Sequence, residues 1–212
     1  MYTEQARAIL HEWVQSDSLR KHCESVAASM EHMARKADAD PDLWCAVGLL
    51  HDMDYERYPD MPPRGPATTA LSEALVAGDP VASADLPGHP FVGVHYLRGK
   101  GWSTEVLRAI LSHADYSGIA PESPIQRTLY AVDELSGFAT AVALVRPDKS
   151  IHSVEVSSVR KKFKDKAFAA KVNREDMIRG AELLGVPLEE LIGEVIAALR
   201  ARADLLGLAG VA

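Results

Sequence analysis

The chain has 212 residues, 47% hydrophobic and 25% charged, with a formal net charge of −7. That size and balance suit one soluble domain with a substantial core. The negative charge argues against a general binder of nucleic-acid polymers or anionic membranes, and no apolar run approaches the ~20 residues a membrane span needs.

Met1-Tyr-Thr-Glu-Gln5 lacks the basic and apolar regions of a signal peptide. Residues 3–15 predict a first helix, with Ala6, Ile9, Leu10 and Trp13 at helical spacing. Asp17 or Ser18 suits the cap of a second, running to about Ala37. On its wheel His22 shares a face with Leu19, Val26, Met30 and Met33, so it points inward, while His32 sits at the edge. A single inward histidine is more often a hydrogen-bonded core residue than a ligand. Cys23 and Cys45 form no disulfide framework and no metal spacing; they read as small buried residues in a reducing, cytoplasmic setting.

Asp40-Pro41 is a capping carboxylate followed by proline at the first helical position. The helix it opens carries Leu43, Trp44, Val47 and Leu50, and ends abruptly in His51-Asp52. Those aliphatic residues want the interior and draw the imidazole and the carboxylate in with them. A buried carboxylate costs several kcal/mol unless it is paired or binds a metal. Residues 58–66 form a proline-rich loop, and a short helix from about Thr69 to Val76 ends at Gly78. Pro90 suits a first helical position, with His89 as the cap. Ser103 caps a helix whose inward stripe is Val106, Ala109, Ile110 and His113, and Asp115 follows in a turn. Pro124 lies at the start of the longest helix, reaching about Val145, on which Asp133 stacks with Leu129, Gly137 and Thr140. A basic helix is predicted from Ser157 to Val172, with Arg160 and Lys166 flanking its buried arc. Asn173 caps the next helix, and Pro187 opens the last, reaching about Leu206. Nothing alternates with period two, so the fold class is all-α.

The inward histidines and carboxylates occur in the order His22, His51-Asp52, His89, His113, Asp133. They come from separate helices or helix ends, which is how bundle cores assemble metal sites. In that order they resemble the HD superfamily of metal-dependent phosphohydrolases: a first His in a helix, a His-Asp pair, further histidines and a last Asp. The resemblance covers about residues 18–145, and the tail around 158–168 resembles a bacterial group of uncharacterised predicted hydrolases of that superfamily. It implies a single HD-type helical bundle over 1–212, with a metal-site core at about 18–145 and additional C-terminal helices at about 151–208.

The resemblance further implies one or two divalent transition-metal ions (Fe, Mn, Zn, Ni or Co) held by His22, His51, Asp52, His89, His113 and Asp133, with Asp52 as bridge. The implied activity is cleavage of a small phosphorylated substrate, nucleotides included, by metal-activated water. Asp54, Asp115 or an unliganded histidine would serve as acid or base. Tyr55 stands where the cyclic-dinucleotide branch carries lysine, three residues after the Asp. A phosphate-binding cation is therefore expected elsewhere, with Arg160 and Lys166 as candidates. Two other functions use the same scaffold: a di-iron oxygenase and a non-catalytic nucleotide-binding HD domain. Nothing in the sequence sets the oligomeric state.

Overall fold

Helix α1 (Tyr2–Trp13) has no capping side chain of its own. Its first amides, those of Tyr2 and Thr3, donate instead to the Asp42 carboxylate of α3 (Pro41–Leu50) at 2.6 and 3.2 Å. Helix α3 starts on the expected Asp40-Pro41 cap. Helix α2 (Asp17–Lys36) starts slightly earlier than predicted, because the Ser16 hydroxyl, not Asp17 or Ser18, accepts the Leu19 amide. Helices α2 and α3 press together at Gly48, where a Cβ would lie 2.6 Å from Ala27 Cα. Only glycine allows that approach, and it sets His22 of α2 beside His51 at the end of α3.

The computed structural model describes residues 1–210, so 211–212 of the expected single domain lie outside the described residues. Among the described residues the fold is all-α, as the missing alternation predicts; an isolated bridge between Ser150 and Ala209 is the sole β pairing. Beyond the proline-rich loop, α4 (Pro66–Ala77) ends at Gly78, whose φ of 89° places it in the left-handed region. Then come α5 (Phe91–Gly99), α6 (Thr104–His113) and the long α7 (Pro124–Leu144). Helix α7 is the central element. It buries Leu129, Leu135, Phe138 and Val142 and packs against α2, α6 and the C-terminal helices.

The C-terminal part departs most from expectation. The helix predicted over 157–172 is α8 (Val156–Phe163) only, followed by turns to Asn173. The Asp165 carboxylate accepts the amides of Ala167 and Phe168 at 3.1 and 3.3 Å. The Arg174 guanidinium donates to the carbonyls of Phe163, Asp165, Phe168 and Val172. These carbonyls are spent on one cation and a local turn, which overrides the helical periodicity of the apolar residues. Asn173 caps α9 (Arg174–Leu184) as predicted, accepting the Glu175 amide at 3.1 Å. The last predicted helix is divided at Arg202 into α10 (Leu188–Ala201) and α11 (Ala203–Leu206).

Helix α10 is clamped to α2 by Glu194, which pairs with Lys36 and with His32 Nε2, the latter at 2.7 Å. Hydrogen bonds from Lys36 and then His32 hold the Glu194 carboxyl below its ordinary 4.5. A carboxyl depressed by folding stabilises above its unfolded pKa, and the gain is lost as pH falls through the folded one. The melting-temperature deficit of Glu194→Gln is therefore expected to be largest near neutrality and to shrink below about pH 4.5. Gly48→Ala is expected to cost about 1–3 kcal/mol in urea unfolding, because backbone must move to admit the methyl group.

Candidate metal centre

Each predicted ligand sits where its helix ends or faces inward. His22 is on the second turn of α2, His51 caps the C-terminus of α3, His113 is the last residue of α6, and Asp133 lies midway along α7. Asp52 follows His51 in the turn. His89 is placed one residue further out than predicted: Pro90 is the cap and α5 begins at Phe91. The imidazole nevertheless turns into the same space.

There the four Nε2 atoms converge on two carboxylates. Asp133 Oδ1 lies 3.1 Å from His22 Nε2 and 3.3 Å from His51 Nε2. Asp52 faces both ways. Its Oδ2 is 3.7 Å from His22 and 3.5 Å from His51, and its Oδ1 is 3.3 Å from His89 and 3.5 Å from His113. Two groups result, His22-His51-Asp52 and Asp52-His89-His113, sharing one carboxylate.

The far side of three rings is tied to acceptors. His51 Nδ1 meets the Gly48 carbonyl at 2.8 Å, and His113 Nδ1 meets the Ile110 carbonyl. His89 Nδ1 meets Asp54 Oδ1 at 2.6 Å, while Asp54 Oδ2 accepts the Gly93 amide, also at 2.6 Å. A carbonyl or carboxylate can only accept, so in the neutral rings each of these Nδ1 atoms carries the proton and each Nε2 presents a lone pair inward. His89 and His113 then face each other lone pair to lone pair at 3.2 Å. His22 Nε2 is 3.3 Å from His51 Nε2, with Gly137 of α7 beside the His22 ring. A shared cation resolves such contacts. Donors about 2.1 Å from a first-row ion lie about 3.0–3.4 Å apart across one coordination edge, close to the spacings here. Imidazole nitrogen with carboxylate oxygen suits a divalent transition metal.

Electrostatics bind the cluster further. Burial pulls the His51 imidazole down, but Asp52 and Asp133 outweigh it and raise its pKa to about 9. Burial pushes Asp52 and Asp133 up; for both, the neighbouring imidazoles, His51 foremost, prevail and hold them well below the usual carboxylate range. Glu134, beside Asp133, is pushed up to about 7 by burial and then by that neighbour.

The cluster floors a cavity of about 560 Å³, lined further by Tyr55, Tyr116, Tyr130, Glu134, Lys171 and Asp176. Asp115 is at this cavity too, paired with Arg179 at 3.1 Å. Asp54, expected as an acid or base, is 1% exposed with both oxygens engaged; it does not line the cavity and instead orients His89. Neither expected phosphate-binding cation lines the cavity. Arg160 pairs with Glu189 at 3.0 Å, and Lys166 lies in the exposed turn after α8, because the helix meant to carry it ends at Phe163. Lys171 lines it instead. No local pattern marks Lys171, Tyr116 or Tyr130 in the sequence, whereas Glu134 could have been noticed as the neighbour of Asp133.

The HD domain family matches residues 19–137. No curated protein and no solved structure matches the chain. The matched stretch runs from α2 into α7, contains all six clustered residues and covers more than half of the sequence. The chain belongs to the HD domain family.

Proposed function

We propose that the protein is a metal-dependent phosphohydrolase that cleaves a phosphate ester or nucleotide with metal-activated water. The observation that carries this reading is the Asp52 carboxylate, one oxygen toward His22 and His51 and the other toward His89 and His113. His22, His51, Asp133 and Asp52 Oδ2 would hold one divalent ion, and His89, His113 and Asp52 Oδ1 a second, with Fe, Mn, Zn, Ni or Co as candidates. Bound there, such ions lower the pKa of water toward ~7 and neutralise charge on phosphoryl oxygens.

The chain's own residues supply the rest. The Gly48 and Ile110 carbonyls and the Asp54 carboxylate keep three imidazoles turned inward. Tyr55, which lines the cavity with His89, packs edge-on against that ring with centroids 5.4 Å apart. In the reaction water adds to phosphorus and the ester P–O bond breaks. Inorganic phosphate and the alcohol are released, the alcohol taking up one proton. Asp115, held by Arg179, serves recognition at the rim rather than proton transfer. The whole chain works as one unit, since residues of the turns and α9 complete the cavity begun by α2–α7. Two free, buried cysteines suit a reducing cytoplasmic setting.

Wild type supplied with each candidate metal is expected to release phosphate from one or more esters in a panel of phosphorylated compounds. Asp52→Ala should fall to background and lose bound metal by elemental analysis. Oxygen uptake by the iron-loaded protein without phosphate release would move the site to the oxygenase reading instead. Asp54→Asn should weaken metal binding about 10–100-fold by equilibrium dialysis. An amide cannot accept from both His89 Nδ1–H and the Gly93 amide as the carboxylate does.

A further inference from the structure

The candidate metal centre accounts for the floor of the cavity, and the lining also draws Lys171, Asn173 and Asp176 from outside the family-matched stretch. Among the described residues that line it, Lys171 is the one lysine or arginine. Nearby cations are already taken, Arg179 by Asp115, Arg160 by Glu189 and Lys162 by Asp165. Lys171 joins no ion pair among the described residues. The turn that carries it is held by Arg174, whose guanidinium donates to the Phe163, Asp165 and Phe168 carbonyls at 3.0, 2.9 and 2.6 Å, and to the neighbouring Val172 O at 3.4 Å. The same guanidinium lies over the Phe138 ring of α7, 5.3 Å from its centroid, which anchors the turn to the helix that carries Asp133.

Carboxylates share the cavity with Lys171. Glu134, Asp176 and Asp115 line it, with Asp176 accepting the Tyr130 hydroxyl at 2.9 Å. A phosphoryl group over the metal centre can take Lys171 as a partner. A second or third phosphate would meet those three carboxylates, with Asn173 and the Tyr55, Tyr116 and Tyr130 hydroxyls as the other polar neighbours, whereas hydroxyl or amine groups would donate to the carboxylates.

We propose that the substrate is a monophosphate ester with a donor-rich, hydroxyl- or amine-bearing organic group, that Lys171 binds its phosphate, and that Arg174 is the residue positioning Lys171 against the cavity. This rests on the phosphohydrolase reading above.

The test is calorimetric binding of inorganic phosphate to the full chain loaded with manganese. Lys171→Ala is expected to raise the Kd at least about tenfold, the scale of a charge-assisted hydrogen bond, and Lys171→Arg to restore it. Arg174→Ala should raise it too, with helical circular dichroism unchanged. The double variant should bind no worse than Lys171→Ala, because Arg174 acts through the lysine. An unchanged Kd in Lys171→Ala overturns the subsite, and additive losses overturn the positioning role. Displacement of phosphate by the mono-, di- and triphosphates of one nucleoside should favour the monophosphate, and Asp176→Asn should narrow that preference. Tightest binding of the triphosphate overturns the substrate class. Phosphate binding needs no turnover, so Lys171-dependent binding without hydrolysis of any ester sinks the phosphohydrolase reading and leaves the subsite standing. Turnover with KM unchanged in Lys171→Ala sinks the subsite alone.

Discussion

The approach of α2 to α3 at Gly48 is the contact on which the candidate metal centre depends. With backbone of one helix packed on backbone of the next, His22 and His51 bring their Nε2 atoms to 3.3 Å. The same glycine's carbonyl holds the far nitrogen of His51. One residue without a side chain thus sets both the spacing of two imidazoles and the orientation of one of them. The apolar residues before His51 are fully buried, and so is His51 itself. Asp52 is carried inward behind them, and what offsets the cost of its burial is the ring of imidazoles around it.

A second small residue does the matching work on α7. Gly180 of α9 comes so close that a Cβ would lie 2.5 Å from Ala131 Cα, two residues before Asp133. Gly137, one turn after Asp133, lies beside the His22 ring, where a Cβ would be 3.5 Å from Nδ1, an ordinary contact. Asp133 therefore lies two residues from a backbone contact that excludes bulk. The rigidity a metal centre needs comes from these backbone contacts as much as from hydrogen bonds to the ligands.

The helices that supply the centre were legible because their signals are local. The Asp40-Pro41 cap, the wheel of α2 and the Ser103 cap of α6 each depend on a few consecutive residues, and the structure places them as read. Inward-facing polar residues at the ends of apolar stripes then stood out as a set. The segment after α8 was misread because its apolar spacing continues through Phe163, Ala167 and Ala170, while the force that ends the helix is a guanidinium arriving from Arg174. Tertiary capture of carbonyls leaves no trace in periodicity. Lys171 was missed for the same reason, since a residue in a turn is aimed by whatever grips the turn. For Asp54, sequence shows a carboxylate beside the expected ligands and not the two donors that occupy it.

That Lys171, Asn173 and Asp176 line the cavity from outside the matched stretch has a consequence for descent. Selection on what the protein accepts can act on the turns between α8 and α9, where Arg174 ties loose backbone together, without disturbing Gly48, Gly137 or the six clustered residues. Two chains alike over the family stretch can then diverge in diet while sharing one reaction. Kinship traced through the histidines alone would group them together, and the difference between them would lie in a loop of about ten residues that the shared pattern does not reach.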